Sequence, residues 1–218
     1  MRNIAVVIGA TGLVGANLVR LLLADSSFSE VKIIVRRKGE LTHQKLTEII
    51  VKFDQLEAYK RHFTGDVLFS CMGTTIKTAG TKDAQYTVDF TYQNRSAQLA
   101  RDNGMSSLVL VSSTGANSDS MMFYSRIKGD LEMSVEAMGF AHLIIVRPSL
   151  LIGFRPKKRR GEVWSSILLD GLMPILPFLK KYRGIKGSEV ARALVQLFKS
   201  TSTGKTVVEL DELFKYSQ

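Results

Sequence analysis

A tyrosine and a lysine lie four residues apart, at Tyr124 and Lys128. On a helix this spacing places both side chains on one face. An ammonium group close to a phenol stabilises the tyrosinate form, so Tyr124 would be a workable general acid for a carbonyl oxygen, or a base in the reverse direction. Because tyrosine and lysine often share this spacing by chance, the pair also allows a second interpretation, a partly buried tyrosine beside a surface lysine.

Two serines, Ser112 and Ser113, follow the apolar run 107–111, which has the character of a buried strand. Ligands in α/β sheets collect beyond the carboxyl ends of the strands. A hydroxyl there could donate a hydrogen bond to a developing oxyanion. Both serines are therefore site candidates. We expect Ser113 to take the catalytic role, with Ser112 beside the bound ligand.

Three glycines, Gly9, Gly12 and Gly15, separate an apolar run at 3–8 from a helical stripe at 14–24. The first would permit a tight turn, the second would let the backbone approach a pyrophosphate, and the third would let helix and strand pack closely. The N-terminus of the helix would present free N–H groups to the phosphates. The spacing predicts a dinucleotide-binding loop; the alternative is a tight turn without a ligand.

The run 31–35 has the character of a second strand, and it ends at Arg36 and Arg37 without a carboxylate. Sites that prefer NAD usually carry an acidic residue there, which holds the ribose hydroxyls. Two guanidinium groups instead suit a 2′-phosphate, through charge-assisted hydrogen bonds. The sequence therefore predicts NADPH or NADP as the cofactor, although two solvated surface arginines are an alternative.

Strand-like and helix-like segments alternate along the chain, and this alternation predicts an α/β fold with a doubly wound parallel sheet, the NAD(P)-binding Rossmann fold. The predicted strands are 3–8, 31–35, 48–53, 66–71, 107–111, 142–146 and 206–210. The predicted helices are 14–24, 55–63, 88–103, 124–138 and 188–199, the last one capped by Ser188.

We expect a single domain over residues 1–218. Residues 1–153 would form the dinucleotide-binding core, and a helix and strand within 188–218 would complete it. Residues 154–187 contain a basic run, a tryptophan and two prolines but no clear strand, so they predict a small lid.

Composition excludes several classes of protein. The chain has 218 residues and a single cysteine, Cys71, so it can form no internal disulfide, and its three scattered histidines lack metal-ligand spacing. No apolar run is long enough to span a bilayer. The apolar N-terminus leads directly into glycines instead of a cleavage site, which favours a cytoplasmic protein.

The net charge of +10 favours phosphate-rich partners. Basic residues cluster at 36–38 and 155–160. The second cluster lacks the interleaved aromatic residues that stack on bases, so we do not expect specific nucleic-acid binding and place this run in the lid. A protein partner is possible.

In its order of motifs the chain resembles an atypical short-chain dehydrogenase/reductase, and most closely the Tat-interacting oxidoreductase-like family. The segments that carry this resemblance are Gly-Ala-Thr-Gly-Leu-Val-Gly at 9–15, Val-Arg-Arg-Lys at 35–38, Cys-Met-Gly-Thr-Thr at 71–75, Leu-Val-Ser-Ser-Thr-Gly-Ala at 110–116, Tyr-Ser-Arg-Ile-Lys-Gly at 124–129, Arg-Pro-Ser-Leu-Leu at 147–151 and Arg-Arg-Gly-Glu-Val-Trp at 159–164. The resemblance covers nearly the whole chain.

The resemblance implies a place along the cofactor for each motif. The residues implied are Thr11, Gly12, Leu13 and Val14 at the pyrophosphate, Arg36 and Arg37 at the 2′-phosphate, Met72 and Gly73 along the cofactor, Tyr124 and Lys128 at the nicotinamide, and Leu151 and Arg159 near it from the lid. Some relatives have a proline before the glycine of the last motif, where this chain has Arg160, and this departure affects the assignment of Arg159.

Two functions agree with these motifs. The first is an NADPH-dependent oxidoreductase that acts on an unidentified small carbonyl or alcohol. The second is a regulatory protein that binds NADPH without turnover, because the family includes members of that kind.

Overall fold

A computed structural model describes residues 2–153, 183–201 and 203–217. Its centre is a seven-stranded, fully parallel sheet with the order β3-β2-β1-β4-β5-β6-β9. The strands of this sheet are β1 (Asn3–Ile8), β2 (Phe28–Val35), β3 (Leu46–Ile50), β4 (Val67–Ser70), β5 (Ser107–Val111), β6 (His142–Arg147) and β9 (Gly204–Glu209). The strand order reverses direction between β1 and β4, where ligands bind in doubly wound sheets.

Helices cover both faces of the sheet. They are α1 (Gly15–Ala24), α2 (Ile76–Ala79), α3 (Lys82–Tyr86), α4 (Tyr92–Asp102), α5 (Phe123–Ala137) and α6 (Gly187–Ser200), with 3₁₀ segments at Phe53–His62 and Leu210–Tyr216. Successive side chains of a strand point to opposite faces. Ala5 and Val7 of β1 accordingly pack in the core that contains α1 and α6, whereas Val6 and Ile8 pack in the core that contains α4 and α5. The predicted doubly wound α/β fold is confirmed.

The register of the central strands determines which loops meet. Ile8 of β1 lies opposite Ile34 of β2 on one side and Ser70 of β4 on the other. The residues that follow these three strands therefore meet at one edge of the sheet. This is how the fold brings the glycine loop, Arg36 and the segment after Ser70 together.

Two predictions of local structure are wrong, and two short helices were not predicted. The helix expected at 88–103 is present, as a π-helical turn (Thr87–Thr91) followed by α4. The unpredicted helices α2 and α3 precede it, and the hydroxyls of Thr75 and Thr81 cap them. Ser188 does not cap α6. The helix instead begins one residue earlier, and the carboxylate of Glu189 accepts the backbone N–H of Lys186 at 2.7 Å.

The second correction concerns the expectation of no clear strand within 154–187, because Ile185–Lys186 forms a two-residue strand, β8, that pairs with β7 (Leu151–Ile152). Most of the proposed lid, including Arg159 and the basic run, lies outside the described residues. In the described ranges, no helix is both long and apolar enough to cross a bilayer.

Gly129 lets the loop before α5 rest directly on that helix. A Cβ on Gly129 would lie 2.1 Å from the backbone nitrogen of Ser118 and 2.3 Å from the carbonyl carbon of Asn117. Because backbone atoms cannot move aside cheaply, Gly129→Ala should destabilise the fold by about 2 kcal/mol and lower Tm by roughly 4–8 °C. Thermal unfolding measures this effect. Gly39→Ala is the control, since its nearest neighbour is a flexible carboxylate at 3.2 Å; equal losses would contradict the prediction.

Candidate functional site

A cleft of about 580 Å³ opens at the carboxyl edges of β1, β2 and β4. The described residues that line it are Gly9, Ala10, Thr11, Gly12, Ile34, Val35, Arg36, Phe53, Cys71, Met72, Gly73, Thr74, Thr78, Ala79, Ala84, Thr87, Val88 and Tyr92. Of the predicted site residues, Gly9, Thr11, Gly12, Arg36, Met72 and Gly73 thus meet in one place. The other candidates, Tyr124, Lys128 and the two serines, lie outside this lining.

The glycine loop is built around a turn that an alanine would block. Gly9 has a φ of +75°, and a Cβ there would lie 2.5 Å from the carbonyl oxygen of Cys71 on β4's extension. The N–H of Gly12 closes the turn by donating to Gly9 O at 2.9 Å. A Cβ on Gly15 would lie 2.2 Å from that same oxygen. Helix α1 therefore starts in direct contact with the turn, in the geometry that a phosphate cradle requires.

The start of α1 carries no group that competes with an anion. Its N-cap residue, Val14, makes no side-chain capping bond, and the first turn contains no carboxylate. The side chains of this segment are used elsewhere: Val14 is buried in the core, and Leu13 lies against Gly153 and Gly187. The backbone N–H groups thus remain as the natural anion ligands.

The far wall of the cleft is aromatic. The rings of Phe53 and Tyr92 lie 5.3 Å apart between centroids, and the Tyr92 hydroxyl donates to Asp54 Oδ1 at 2.5 Å. Burial and this hydrogen bond raise the pKa of Tyr92 to about 12, although nearby Arg36 acts in the opposite direction. Arg36 therefore lies at the rim beside this wall. Arg37 is exposed and does not line the cleft.

Lys128 is held by a carboxylate that the sequence analysis did not identify. Its Nζ lies 3.0 Å from Oδ1 of Asp89, and the two side chains are only 2% and 0% exposed. The other oxygen of Asp89 accepts the backbone N–H of Thr74 at 3.0 Å. One carboxylate thus connects the candidate catalytic lysine with the loop that lines the cleft.

The ion pair changes the electrostatics of the lysine. Burial by itself would lower the pKa of the Lys128 ammonium. The charge of Asp89, then the interaction with Tyr124, then the hydrogen bond to Asp89 and the charge of Glu132 together outweigh burial and raise it. Lys128 is therefore a fixed cation. Its Nζ lies 6.0 Å from the centroid of the Tyr124 ring, whose side chain is 39% exposed. The predicted pair thus shares one face of α5, with the lysine inside and the tyrosine at the surface.

A sequence signal for Asp89 does exist. Polar residues recur at helical spacing, at Gln85, Asp89, Gln93 and Ser96, on a face that is buried. A polar stripe on a buried face must have partners. Gln93 accepts from Ser70 Oγ at 2.7 Å and donates to the carbonyl of Asp89 at 2.8 Å. The π-helical turn contains Asp89, as is common at functional sites.

The two serines at the end of β5 are distinguished by their partners. Ser112 is buried and donates to Glu132, which also forms a two-point ion pair with Arg147 at 2.6 and 3.1 Å. Ser113 is half-buried, and its hydroxyl donates to the carbonyl of Thr114 at 3.3 Å. The Ser112 hydroxyl is therefore part of a buried hydrogen-bond network with Glu132 and Arg147. The Ser113 hydroxyl makes only a long hydrogen bond to the neighbouring residue.

One further candidate, Leu151, does not line the cleft. Leu151 is in β7 and packs against the core that contains α1 and α6. Arg159 lies outside the described residues. Across the ranges 2–153, 183–201 and 203–217, no three His, Cys, Asp or Glu side chains are grouped as metal ligands would be.

A family model described as NAD(P)H-binding matches residues 9–158, which include the glycine loop, the ends of β2 and β4, and the tyrosine–lysine pair. The chain belongs to this NAD(P)H-binding family. The coenzyme of this protein is therefore a nicotinamide dinucleotide.

Relatives of this NAD(P)H-binding protein extend over most of its length. Protein HTATIP2 of Rattus norvegicus is 36% identical over 179 residues, which cover 80% of this chain and 73% of the relative. Protein FMP52, mitochondrial, of Saccharomyces cerevisiae is 35% identical over 209 residues, which cover 93% and 90%. The predicted likeness to Tat-interacting oxidoreductase-like proteins is confirmed.

Solved structures with the same fold are more distant in sequence. MoeE5 in complex with UDP-glucose and NAD has a TM-score of 0.69 at 19% identity, over 94% of this chain and 75% of that one. UDP-glucose 4-epimerase of Thermotoga maritima has a TM-score of 0.70 at 13% identity, over 97% and 80%. At these identities the likeness shows the fold alone.

Proposed function

We propose that this protein is an NADPH-dependent oxidoreductase of the short-chain dehydrogenase type, which acts on a small carbonyl or alcohol. One observation carries the choice of coenzyme: Arg36 lies at the rim of the cleft, and Arg36 and Arg37, instead of a carboxylate, directly follow β2. An acidic residue there would favour the free ribose hydroxyls of NADH, whereas a guanidinium favours a 2′-phosphate.

The residues of the cleft fit a nicotinamide coenzyme. The turn at Gly9 and the N-terminus of α1 would hold its pyrophosphate, and Met72 and Gly73 would lie along it. The far wall of Phe53 and Tyr92 supplies apolar surface for a flat ring. When bound, the coenzyme supplies a hydride to a carbonyl carbon or accepts one from an alcohol.

Side chains of the protein would donate the proton that the carbonyl oxygen requires. Tyr124, at the exposed face of α5, would donate a proton to the carbonyl oxygen and recover one from solvent. Ser113 would donate a hydrogen bond to the same oxygen. Lys128 would supply the fixed positive charge beneath Tyr124, and the ion pair with Asp89 would keep that charge in place.

The coenzyme preference has a direct test. Arg36→Ala should raise the Kd for NADPH by about 10- to 100-fold, because a charge-assisted hydrogen bond contributes roughly 1.5–3 kcal/mol, and it should leave the Kd for NADH within about twofold. Arg37→Ala should have a smaller effect, since Arg37 does not line the cleft. Fluorescence titration with each coenzyme measures both constants.

The exposed Arg20 on α1 provides the matched control, because Arg20→Ala removes the same charge outside the lining of the cleft. Equal loss of NADPH affinity in Arg20→Ala and Arg36→Ala would indicate a general charge effect. Equal binding of NADH and NADPH by the unaltered protein would refute the proposed preference.

The cellular location stays a proposal. The sequence favours a cytoplasmic protein, whereas the fungal relatives are named as mitochondrial. Those names describe the relatives.

A further inference from the structure

The loop between β5 and α5 presents two methionines to solvent directly before the candidate catalytic tyrosine. Met121 is 97% exposed and Met122 is 70% exposed. Tyr124 follows in the first turn of α5. Met121, Met122 and Tyr124 thus expose large apolar surface within four successive residues, where burial against a ligand would be favourable.

This exposure occurs in a well-bonded loop. The backbone N–H of Asn117 donates to the carbonyl of Ser125 at 3.0 Å, and the guanidinium of Arg126 donates to the carbonyl of Ser120 at 2.9 Å. The hydroxyl of Ser120 accepts the N–H of Met122 at 3.1 Å. Hydrogen bonds within the loop and to α5 therefore fix the loop backbone, and this backbone holds the two methionines in exposed positions.

Met122 also occupies a position where methionine is unfavourable for folding. It is the N-cap residue of α5, in extended conformation, and its side chain makes no capping hydrogen bond. Ser, Thr, Asp or Asn at such a position would accept a free N–H of the first turn and stabilise the helix. Sites where a sequence departs from a local rule of stability are often sites of function.

We infer that Met121 and Met122 bind the apolar part of the substrate, so that the substrate class is an aldehyde or ketone with a hydrocarbon chain or ring; this inference rests on the proposed function. Thioether side chains are flexible and polarisable, so they adapt to varied apolar surfaces. The carbonyl end of such a substrate lies at Tyr124, and its apolar end lies on the methionines.

The test compares alcohols that differ only in chain length, bound to the full chain with saturating NADP. At equal concentration 1-octanol should raise Tm more than 1-butanol, because each methylene that is buried adds to binding. In the Met121→Ser/Met122→Ser protein the difference between the two alcohols should vanish. Met133→Ser is the matched control, since Met133 is 60% exposed on α5 but lies away from the loop in sequence.

Turnover provides a second measurement. The KM for octanal should be at least tenfold below that for butanal, since one buried methylene contributes up to about fourfold. Met122→Ser should raise the KM for octanal about fivefold with little change in kcat, while Tm without ligand should rise by roughly 2–4 °C through the new cap. A gain in stability together with a loss of affinity is not expected from a merely structural residue.

The outcomes separate this inference from the proposed function. If aldehydes are reduced with a KM that does not depend on chain length, the methionines do not bind substrate and the inference is wrong, although the proposed function stands. If no aldehyde is reduced but octanol still binds more tightly than butanol through the methionines, the apolar site stands and the oxidoreductase proposal fails. Equal effects in Met133→Ser would also overturn the inference.

Discussion

Asp89→Asn should lower the free energy of unfolding by about 3 kcal/mol and Tm by roughly 6–12 °C. The carboxylate is fully buried and lies 3.0 Å from the ammonium of Lys128. Removing one partner of a buried pair leaves the other charge without compensation in a low-dielectric interior, which typically costs about 3–5 kcal/mol. Urea and thermal unfolding of the coenzyme-free protein measure the loss.

Two further variants make this prediction specific. Asp89→Asn combined with Lys128→Met removes both charges, and it should recover at least half of the lost stability. Asp83→Asn removes an exposed carboxylate on α3, and its effect should stay within about 0.5 kcal/mol. If Asp89→Asn were no more harmful than Asp83→Asn, the pair would not be a buried ion pair.

The same pair predicts a dependence of stability on alkaline pH. The pKa of Lys128 is raised in the folded protein, so the folded state binds the lysine proton more tightly than the unfolded chain does. This contribution is complete below the ordinary lysine pKa of about 10.4 and is lost as pH rises through the higher value of the folded state. Above pH 10 the free energy of unfolding should therefore fall more steeply with pH for the unaltered protein than for the double variant.

Tyr124→Phe should reduce kcat/KM by about 10²- to 10⁴-fold while the Kd for NADPH changes by less than twofold. The phenylalanine keeps the ring on α5 but has no proton to donate to the carbonyl oxygen. Tyr124 does not line the described cleft, so the loss should fall on the chemical step. NADPH oxidation with a carbonyl substrate and coenzyme titration measure the two quantities.

Tyr86 provides a control of similar exposure, 37% against 39%, outside the lining of the cleft. Tyr86→Phe should preserve turnover. If Tyr124→Phe kept full activity, another group would be the acid. If the unaltered protein bound NADPH but reduced no carbonyl at all, the alternative function, an NADPH-binding regulatory protein without turnover, would become the better account.

Local patterns in the sequence were sufficient for most secondary structure. The strands at 3–8 and 107–111 were predicted to the residue, because a short apolar run bounded by turn residues is typical of a buried strand. The glycine loop was equally predictable, since a strand, three glycines and an amphipathic helix specify a turn within a few residues. Parallel pairing then followed from the alternation of strands with helices.

The boundaries around residues 74–91 were less predictable. Short helices of four or five residues contain too few residues for a periodic pattern, and their threonine caps act through a single hydrogen bond each. The π-helical turn at Thr87–Thr91 packs against α5, and no pattern along the sequence distinguishes it from the α-helix that follows.

The sequence by itself determined the family, the strands of the sheet and the position of the glycine turn, because short local patterns along the chain mark each of these. Only the tertiary structure decided that Asp89 pairs with Lys128, that Glu132 engages Ser112, and that Leu151 packs into the core. These contacts join residues from separate elements, which only the folded chain brings together. The two polar contacts form because packing removes their polar atoms from water and leaves them no other partners.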